Sequence, residues 1–274
     1  MPEEFSMSRT PPTAPPDEFA HLFTAEYLAR RRQLVAAHNP SWEGVDDTSP
    51  KSPTGHARAL EVSTRLTTQF RTQYRTHAMD ITPQDVIDVI VAADVKDWVL
   101  MGLHGYAGYM PEPRATQDVD IMVPKRQHKR ARNAIQQAWP TLKVRELSEV
   151  IRFMDPGDLD ADGEPKPVID LMLPLATFQQ MILKEFVIIE PVTKHRIPRL
   201  EASLVAKYAP MVSLGRNQRK KNLDASDFRS LVCANYDTID RDSLHRLADE
   251  VFPGAGDEIL GFVELAMNDK PFPL

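Results

Sequence analysis

The chain has 274 residues, of which 42% are hydrophobic, with a formal net charge of -6 and one cysteine. This length and apolar share can bury one large core or two modest ones. A net negative charge excludes a protein that is basic overall, so any nucleic-acid contact must come from local patches such as 125–132 and 216–221. Cys233 has no partner for an intrachain disulfide; its apolar helical context reads as a small core residue, and a lone cysteine fits the cytoplasm. Charges interrupt every long apolar run and the N-terminal stretch is polar and proline-rich, which argues against a membrane span or a signal peptide.

Residues 1–17 carry prolines and charges with few apolar groups, a composition that predicts disorder. A helix is expected from Glu18 to about His38, docked through Phe19, Leu22, Phe23 and Tyr27, with linker chemistry following over 39–55. A second amphipathic helix spans about His56 to Arg75. The compact part begins near Asp80. Thr82 caps a helix that has Pro83 in its first turn. Trp98–Met101 is a short buried strand, Gly102–Gly108 a short helix, and 118–123 a strand that Pro124 ends. Lys125–Trp139 is helical. Strands are expected at 142–147, 150–154 and 167–173, with a polar turn over 155–165. Within that turn Asp158, Asp160, Asp162 and Gly163 imitate the opening of a calcium loop, but position twelve is Ile169, so it reads as an acidic hairpin turn. Ala176–Phe186 is helical and Val187–Ile189 a brief strand. From Leu200 onward four helices follow, at 200–209, 225–236, 243–251 and 257–267.

The chemistry concentrates between Asp97 and Pro124. Side chains alternate along a strand, so Asp118 and Asp120 point one way and Val119, Ile121 and Val123 the other. Two carboxylates so close repel each other unless a cation neutralises them or one stays protonated. Asp170, within the apolar run Val168–Leu171, supplies a third carboxylate from a strand. Three such groups can hold Mg²⁺ or Mn²⁺ together with phosphate oxygens, which points to phosphoryl or nucleotidyl transfer. Asp170 is the group best placed to help deprotonate the nucleophile. The turn bearing Gly102 and Gly105 can offer backbone N–H groups to phosphates. Arg114 either binds a phosphate or pairs with Asp118 or Asp120. Thr116 suits a turn hydroxyl. Lys207 either extends to solvent or binds phosphate. His104 suits a structural role.

Gly102 with Gly105, the run Pro113-Arg114-Ala115-Thr116-Gln117-Asp118-Val119-Asp120 and the later Asp170 resemble the glycine, D-x-D and third-aspartate motifs of the DNA polymerase β-type nucleotidyltransferase superfamily. The P-R-A-T-x-D-V-D form is similar to the AbiEii/MenT-like toxin branch, as are Leu204–Ala209 and the 221–228 run Lys-Asn-Leu-Asp-Ala-Ser-Asp-Phe. The resemblance covers about residues 80–268. It implies an α/β polymerase β-type nucleotidyltransferase fold with a mixed sheet, plus a helical C-terminal domain. It also implies metal ligation by Asp118, Asp120 and Asp170, and nucleotide contacts from Gly102, Gly105, Arg114, Thr116, Lys207 and Asp224. An NTP substrate follows, with tRNA as an acceptor and an antitoxin protein as a partner. The glycine turn departs from the family pattern, since Leu103 follows Gly102; either His104-Gly105 takes over the phosphate-facing role or the turn is rebuilt.

The expected organisation is an N-terminal extension over 1–79, a nucleotidyltransferase domain over 80–198 and a helical domain over 199–274. Transfer of an NMP with release of pyrophosphate is the leading expectation. Two others stand beside it, nucleotidylation of a small molecule and a non-catalytic nucleotide-binding or interaction protein.

Overall fold

The computed structural model describes residues 24–38 and 55–274; the expectations for 1–23 and 39–54 fall outside them. The chain forms two compact units, 1–48 and 49–274. In the first, the described part is the helix α1 (Ala25–His38).

The second unit opens with α2 (His56–Tyr74) and α3 (Pro83–Ala92). Thr82 Oγ1 accepts the Asp85 N–H at 3.2 Å while Asp85 accepts the Thr82 N–H at 2.8 Å, so two otherwise unpaired donors at the start of α3 are satisfied as the sequence predicts. Then follow β1 (Val99–Leu100), α4 (Gly102–Tyr106), a 3₁₀ turn (Ala107–Tyr109), β2 (Val119–Met122) and α5 (Lys125–Ala138). Strands β3 (Lys143–Glu146), β4 (Val150–Leu159) and β5 (Pro165–Met172) precede α6 (Thr177–Glu185). A small ribbon, β6 (Val187–Ile189) with β7 (Arg196–Pro198), leads to α7 (Leu200–Val212), α8 (Gln218–Asn235), α9 (Arg241–Ala248) and α10 (Ala255–Met267).

The fold is mixed α/β, built on a five-stranded sheet of order β1-β2-β5-β4-β3. Strands β2 and β5 are parallel and the other pairs antiparallel. One face of the sheet is apolar: Val119, Ile121, Ile169, Leu171 and Phe153 pack with Ile87 and Ile90 of α3 and Ala131 and Ile135 of α5. A fully buried aliphatic side chain there stabilises the fold by about 1.5–3 kcal/mol. A second core joins Val99 and Met122 of the sheet to Tyr208, Phe228, Leu247 and Phe262 of the C-terminal helices. The polar face of the sheet is thereby left to look into a cleft bordered by those helices.

Four local expectations change. The strand expected to stop at Met154 continues to Leu159, because β4 keeps pairing with β5 across register shifts between Phe153 and Met154 and between Asp155 and Leu159; these irregularities absorb Pro156 and Gly157. The acidic turn shrinks to its tip, where Asp160 Oδ1 accepts the Asp162 and Glu164 N–H groups and Gly163 takes φ +81. Helix α8 starts at Gln218 instead of Ala225, since the Asn217 side chain caps it by accepting the Lys220 N–H. Cys233 lies on the exposed face of α8, with Sγ 3.6 Å from the Ala266 carbonyl, and is no core residue.

Candidate active site

The register of the sheet builds the site. Asp120 on β2 lies beside Asp170 on the parallel β5, and Arg152 on the antiparallel β4 lies beside Asp170 from the other side. Asp118 immediately precedes β2. Their neighbours Val119, Ile121, Ile169 and Leu171 are buried on the opposite face, so alternation drives the carboxylates to the cleft side. One carboxylate oxygen from each of Asp118, Asp120 and Asp170 lies within 4.8 Å of the others.

Crowding and burial make this arrangement costly for bare charges. Burial, then the Asp118 and Asp170 charges, push the Asp120 carboxyl well above the usual range. Burial raises Asp118 as well. Burial and Asp118 push Asp170 up to about 6, against the opposing pull of Arg152. Arg152 Nε stands 3.3 Å from Asp170 Oδ2, while Asp170 Oδ1 is buried without a hydrogen-bond partner. Hard carboxylate oxygens, mutual repulsion and an unsatisfied buried acceptor together fit a divalent cation of the Mg²⁺ or Mn²⁺ kind.

Gly102 forms the floor beside Asp120. Its φ is +58, and a Cβ there would stand 1.9 Å from Asp120 Oδ2, so both backbone and space demand glycine. Gly105 occupies a different setting. It is buried in α4, where a Cβ would stand 2.2 Å from the Leu100 carbonyl oxygen, so close packing on β1 accounts for it. His104 between them is buried, and burial holds its pKa down to about 3, leaving a neutral ring.

The facing wall comes from α7 and α8. Lys207 Nζ lies 3.2 Å from Asp224 Oδ1 and 2.8 Å from Asp227 Oδ2, with the Tyr106 ring centroid 5.1 Å away. Its side chain is 16% exposed, so it points into the molecule rather than out to solvent. Burial opposes the ammonium charge, but Tyr106, Asp227 and Asp224 outweigh it and raise the pKa. Arg216 Nε is 2.7 Å from Asp224 Oδ2, an ion pair angled too poorly to be a hydrogen bond. Arg114 pairs with both oxygens of Asp227, at 3.1 and 2.9 Å, and so takes neither partner expected of it, Asp118 or Asp120. Three cations, Arg114, Lys207 and Arg216, thus meet two carboxylates, leaving a positive excess facing the acidic triad. The cleft between the walls holds about 890 Å³ and includes Lys220. Thr116 sits beneath, its Oγ1 3.5 Å from Asp118 Oδ1.

Two functional candidates escape the sequence. Arg152 gives no local signal, because only the β4–β5 register brings it to Asp170. Asp227 does give one, since it follows Asp224 by three residues and therefore shares its helix face. The two basic stretches also separate. On α5, Arg126 pairs with Asp97, Arg130 with Asp94 and Arg132 with Glu146, whereas Arg216 and Lys220 open into the cleft.

No family model and no curated protein matches this sequence. Among solved structures, the chain is similar to an antigenic nucleotidyltransferase-like protein from Paracoccidioides brasiliensis, at 13% identity and a TM-score of 0.39, over 77% of this chain and 93% of that one. It is also similar to terminal uridylyl transferase 4 from Trypanosoma brucei with bound GTP, at 16% identity and a TM-score of 0.28, over 78% of this chain and 74% of that one. Among the described residues no helix is long and apolar enough to cross a membrane.

Proposed function

We propose that this chain is a divalent-metal-dependent nucleotidyltransferase that moves an NMP from an NTP to an acceptor hydroxyl and releases pyrophosphate. One observation carries the reading: Asp118, Asp120 and Asp170 converge, with Asp170 Oδ1 unsatisfied, and Asp120 and Asp170 line a cleft whose other wall presents Lys207, Arg216 and Lys220. The three aspartates would hold Mg²⁺ or Mn²⁺, which supplies Lewis acidity toward the triphosphate and the attacking hydroxyl.

The residues divide the remaining work. Lys207, Arg216 and Lys220 bind the triphosphate and offset the charge of the departing pyrophosphate. The acceptor oxygen bonds to the α-phosphorus, the bond from that phosphorus to the oxygen bridging the β-phosphate breaks, and pyrophosphate leaves. The acceptor's proton passes to the Asp170 carboxylate. Gly102 keeps the floor free of side-chain atoms, so phosphate can approach Asp120.

The finer part of the proposal is tRNA as acceptor, in a toxin restrained by an antitoxin protein. Its support is the resemblance of the 113–120 run, together with a basic stretch, 216–221, that reaches the cleft. Incubation with each α-labelled NTP, Mg²⁺ and total RNA tests the whole. The expected result is label on RNA, weakened by salt and absent in Asp120→Asn. Label on a soluble alcohol instead would sink the tRNA acceptor, and label nowhere with no pyrophosphate would sink the transferase.

A further inference from the structure

The segment Pro113–Asp118, which delivers Arg114, Thr116 and Asp118 to the site, forms neither helix nor strand, bends at Gln117 and pairs in the sheet only from Val119 on. Its backbone groups must therefore be satisfied elsewhere. Several of them are satisfied by α2, a helix 40 or more residues earlier in the chain. Ser63 Oγ donates to the Arg114 carbonyl at 2.6 Å, and Arg71 Nη2 donates to the Gln117 carbonyl at 2.8 Å. Between them, Thr67 Oγ1 accepts the Thr116 N–H at 3.2 Å. The single proton of that hydroxyl faces the Ser63 carbonyl at 2.9 Å and the Thr116 carbonyl at 3.2 Å and serves one of them at a time.

Ser63, Thr67 and Arg71 are spaced four apart and all buried, forming a polar stripe on one side of α2. The spacing has a geometric use. Four residues of helix rise about 6 Å and two residues of extended chain about 6.6 Å, so Ser63 and Thr67 can meet residues two apart in the segment. Ser63 meets Arg114 and Thr67 meets Thr116, while the longer Arg71 reaches Gln117. The Arg71 guanidinium also donates to the Ile81 carbonyl at 3.4 Å and pairs with Asp80 at 3.5 Å, which ties the stripe to the start of α3. Such a set of side-chain-to-backbone bonds fixes the position of a segment along its own axis, which apolar packing does poorly.

We infer that α2 belongs to the active site, with Ser63, Thr67 and Arg71 as positioning residues that set Asp118 at the height of Asp120 and Asp170. This rests on the reading of the three aspartates as a metal-binding triad. The stripe acts on Asp118 through its backbone, and groups that orient ligands in this way typically change metal affinity by about 10–100-fold when removed.

Mn²⁺ binding to the full chain, followed by electron paramagnetic resonance without nucleotide, tests this independently of turnover. Thr67→Val and Arg71→Met should weaken Mn²⁺ binding by about tenfold or more, Thr67→Ser should restore it, and Gln69→Ala, on the exposed side of α2, should match wild type. Hydrogen exchange should show the Thr116 amide deprotected in Thr67→Val alone among these. Should Arg71→Met fail to fold, Ser63→Ala takes its place. Faster exchange at Thr116 with wild-type Mn²⁺ affinity would overturn the positioning role and leave the triad standing. A wild type that binds Mn²⁺ no better than Asp120→Asn would overturn the triad and the positioning role together.

Discussion

Arg152 lies directly across the β4–β5 ladder from Asp170, with Nε 3.3 Å from Oδ2, and leaves Oδ1 buried without a partner. The arginine is the carboxylate's counter-charge within the protein, and the free oxygen is what a cation or an incoming proton can use. Replacing Arg152 with Met removes the positive charge that draws the Asp170 pKa down. In Arg152→Met the acid limb of the rate profile at limiting Mg²⁺ should therefore move to higher pH, while Arg152→Lys keeps it near its original place. A pH–rate series on the three proteins checks this.

Asp170 also makes a prediction about stability. Its folded pKa, raised by burial to about 6, lies above the ordinary aspartate value of about 3.9, so the folded chain binds the proton more tightly than the unfolded one. That contribution is complete below the unfolded pKa and is lost as pH rises through about 6. In EDTA, the difference in melting temperature between wild type and Asp170→Asn should thus shift against wild type from pH 4 to 7. Added Mg²⁺ binds the ionised form and should reverse the trend. Thermal melts with and without EDTA read the difference directly.

Gly102 tolerates no side chain. In Gly102→Ala the new Cβ would collide with Asp120 Oδ2, and the positive φ would cost about 1–3 kcal/mol by itself. Displacing a ligand carboxylate by about an ångström typically costs on the order of 100-fold in rate. The variant should fold with a lower melting temperature and lose at least that much kcat/KM. By contrast, Gly105→Ala meets the Leu100 carbonyl, so its main effect should be on stability, measured by denaturant titration.

Lys207 and Asp227 should separate activity from folding. Without Lys207, Asp224 keeps Arg216 and Asp227 keeps Arg114, so Lys207→Met should cost about 1–3 kcal/mol of stability. Its kcat should fall by about 100–1,000-fold, as expected for a lost transition-state donor. Asp227→Ala leaves Lys207 with Asp224 alone, takes away the carboxylate partner of Arg114 and removes the acceptor of the buried Tyr106 hydroxyl, three contacts at once, and should cost about 3–5 kcal/mol. Paired unfolding and kinetic measurements would show the two orders inverted.

The aspartates were legible because strand alternation and apolar neighbours act locally: Val119 and Ile121 had to be buried, so Asp118 and Asp120 had to face away. The α3 cap was legible for the same reason, being written within four residues. Arg152 was not, because its meaning depends on how β4 registers against β5. The stripe on α2 was hidden more deeply, since Ser63, Thr67 and Arg71 look like ordinary helix residues until their carbonyl partners, 46–51 residues away, are known. Gly105 shows the opposite ambiguity: a glycine that makes room for a ligand and one that makes room for a strand carbonyl look alike in a sequence. Cys233 was misplaced because the apolar run Leu231-Val232-Cys233-Ala234 does not itself say which of its members faces the core.

If Asp118, Asp120 and Asp170 support metal-dependent nucleotidyl transfer as proposed, pyrophosphate release must depend on them and on the metal. Wild type and Asp120→Asn, each confirmed as folded by thermal melt, would be incubated with the four NTPs, Mg²⁺ and total RNA. Wild type should release pyrophosphate from at least one NTP in step with label incorporation, EDTA should abolish it, and Asp120→Asn should fall to background. Release that is equal in the two proteins, or absent from wild type with all four NTPs, would rule out nucleotidyl transfer at the three aspartates.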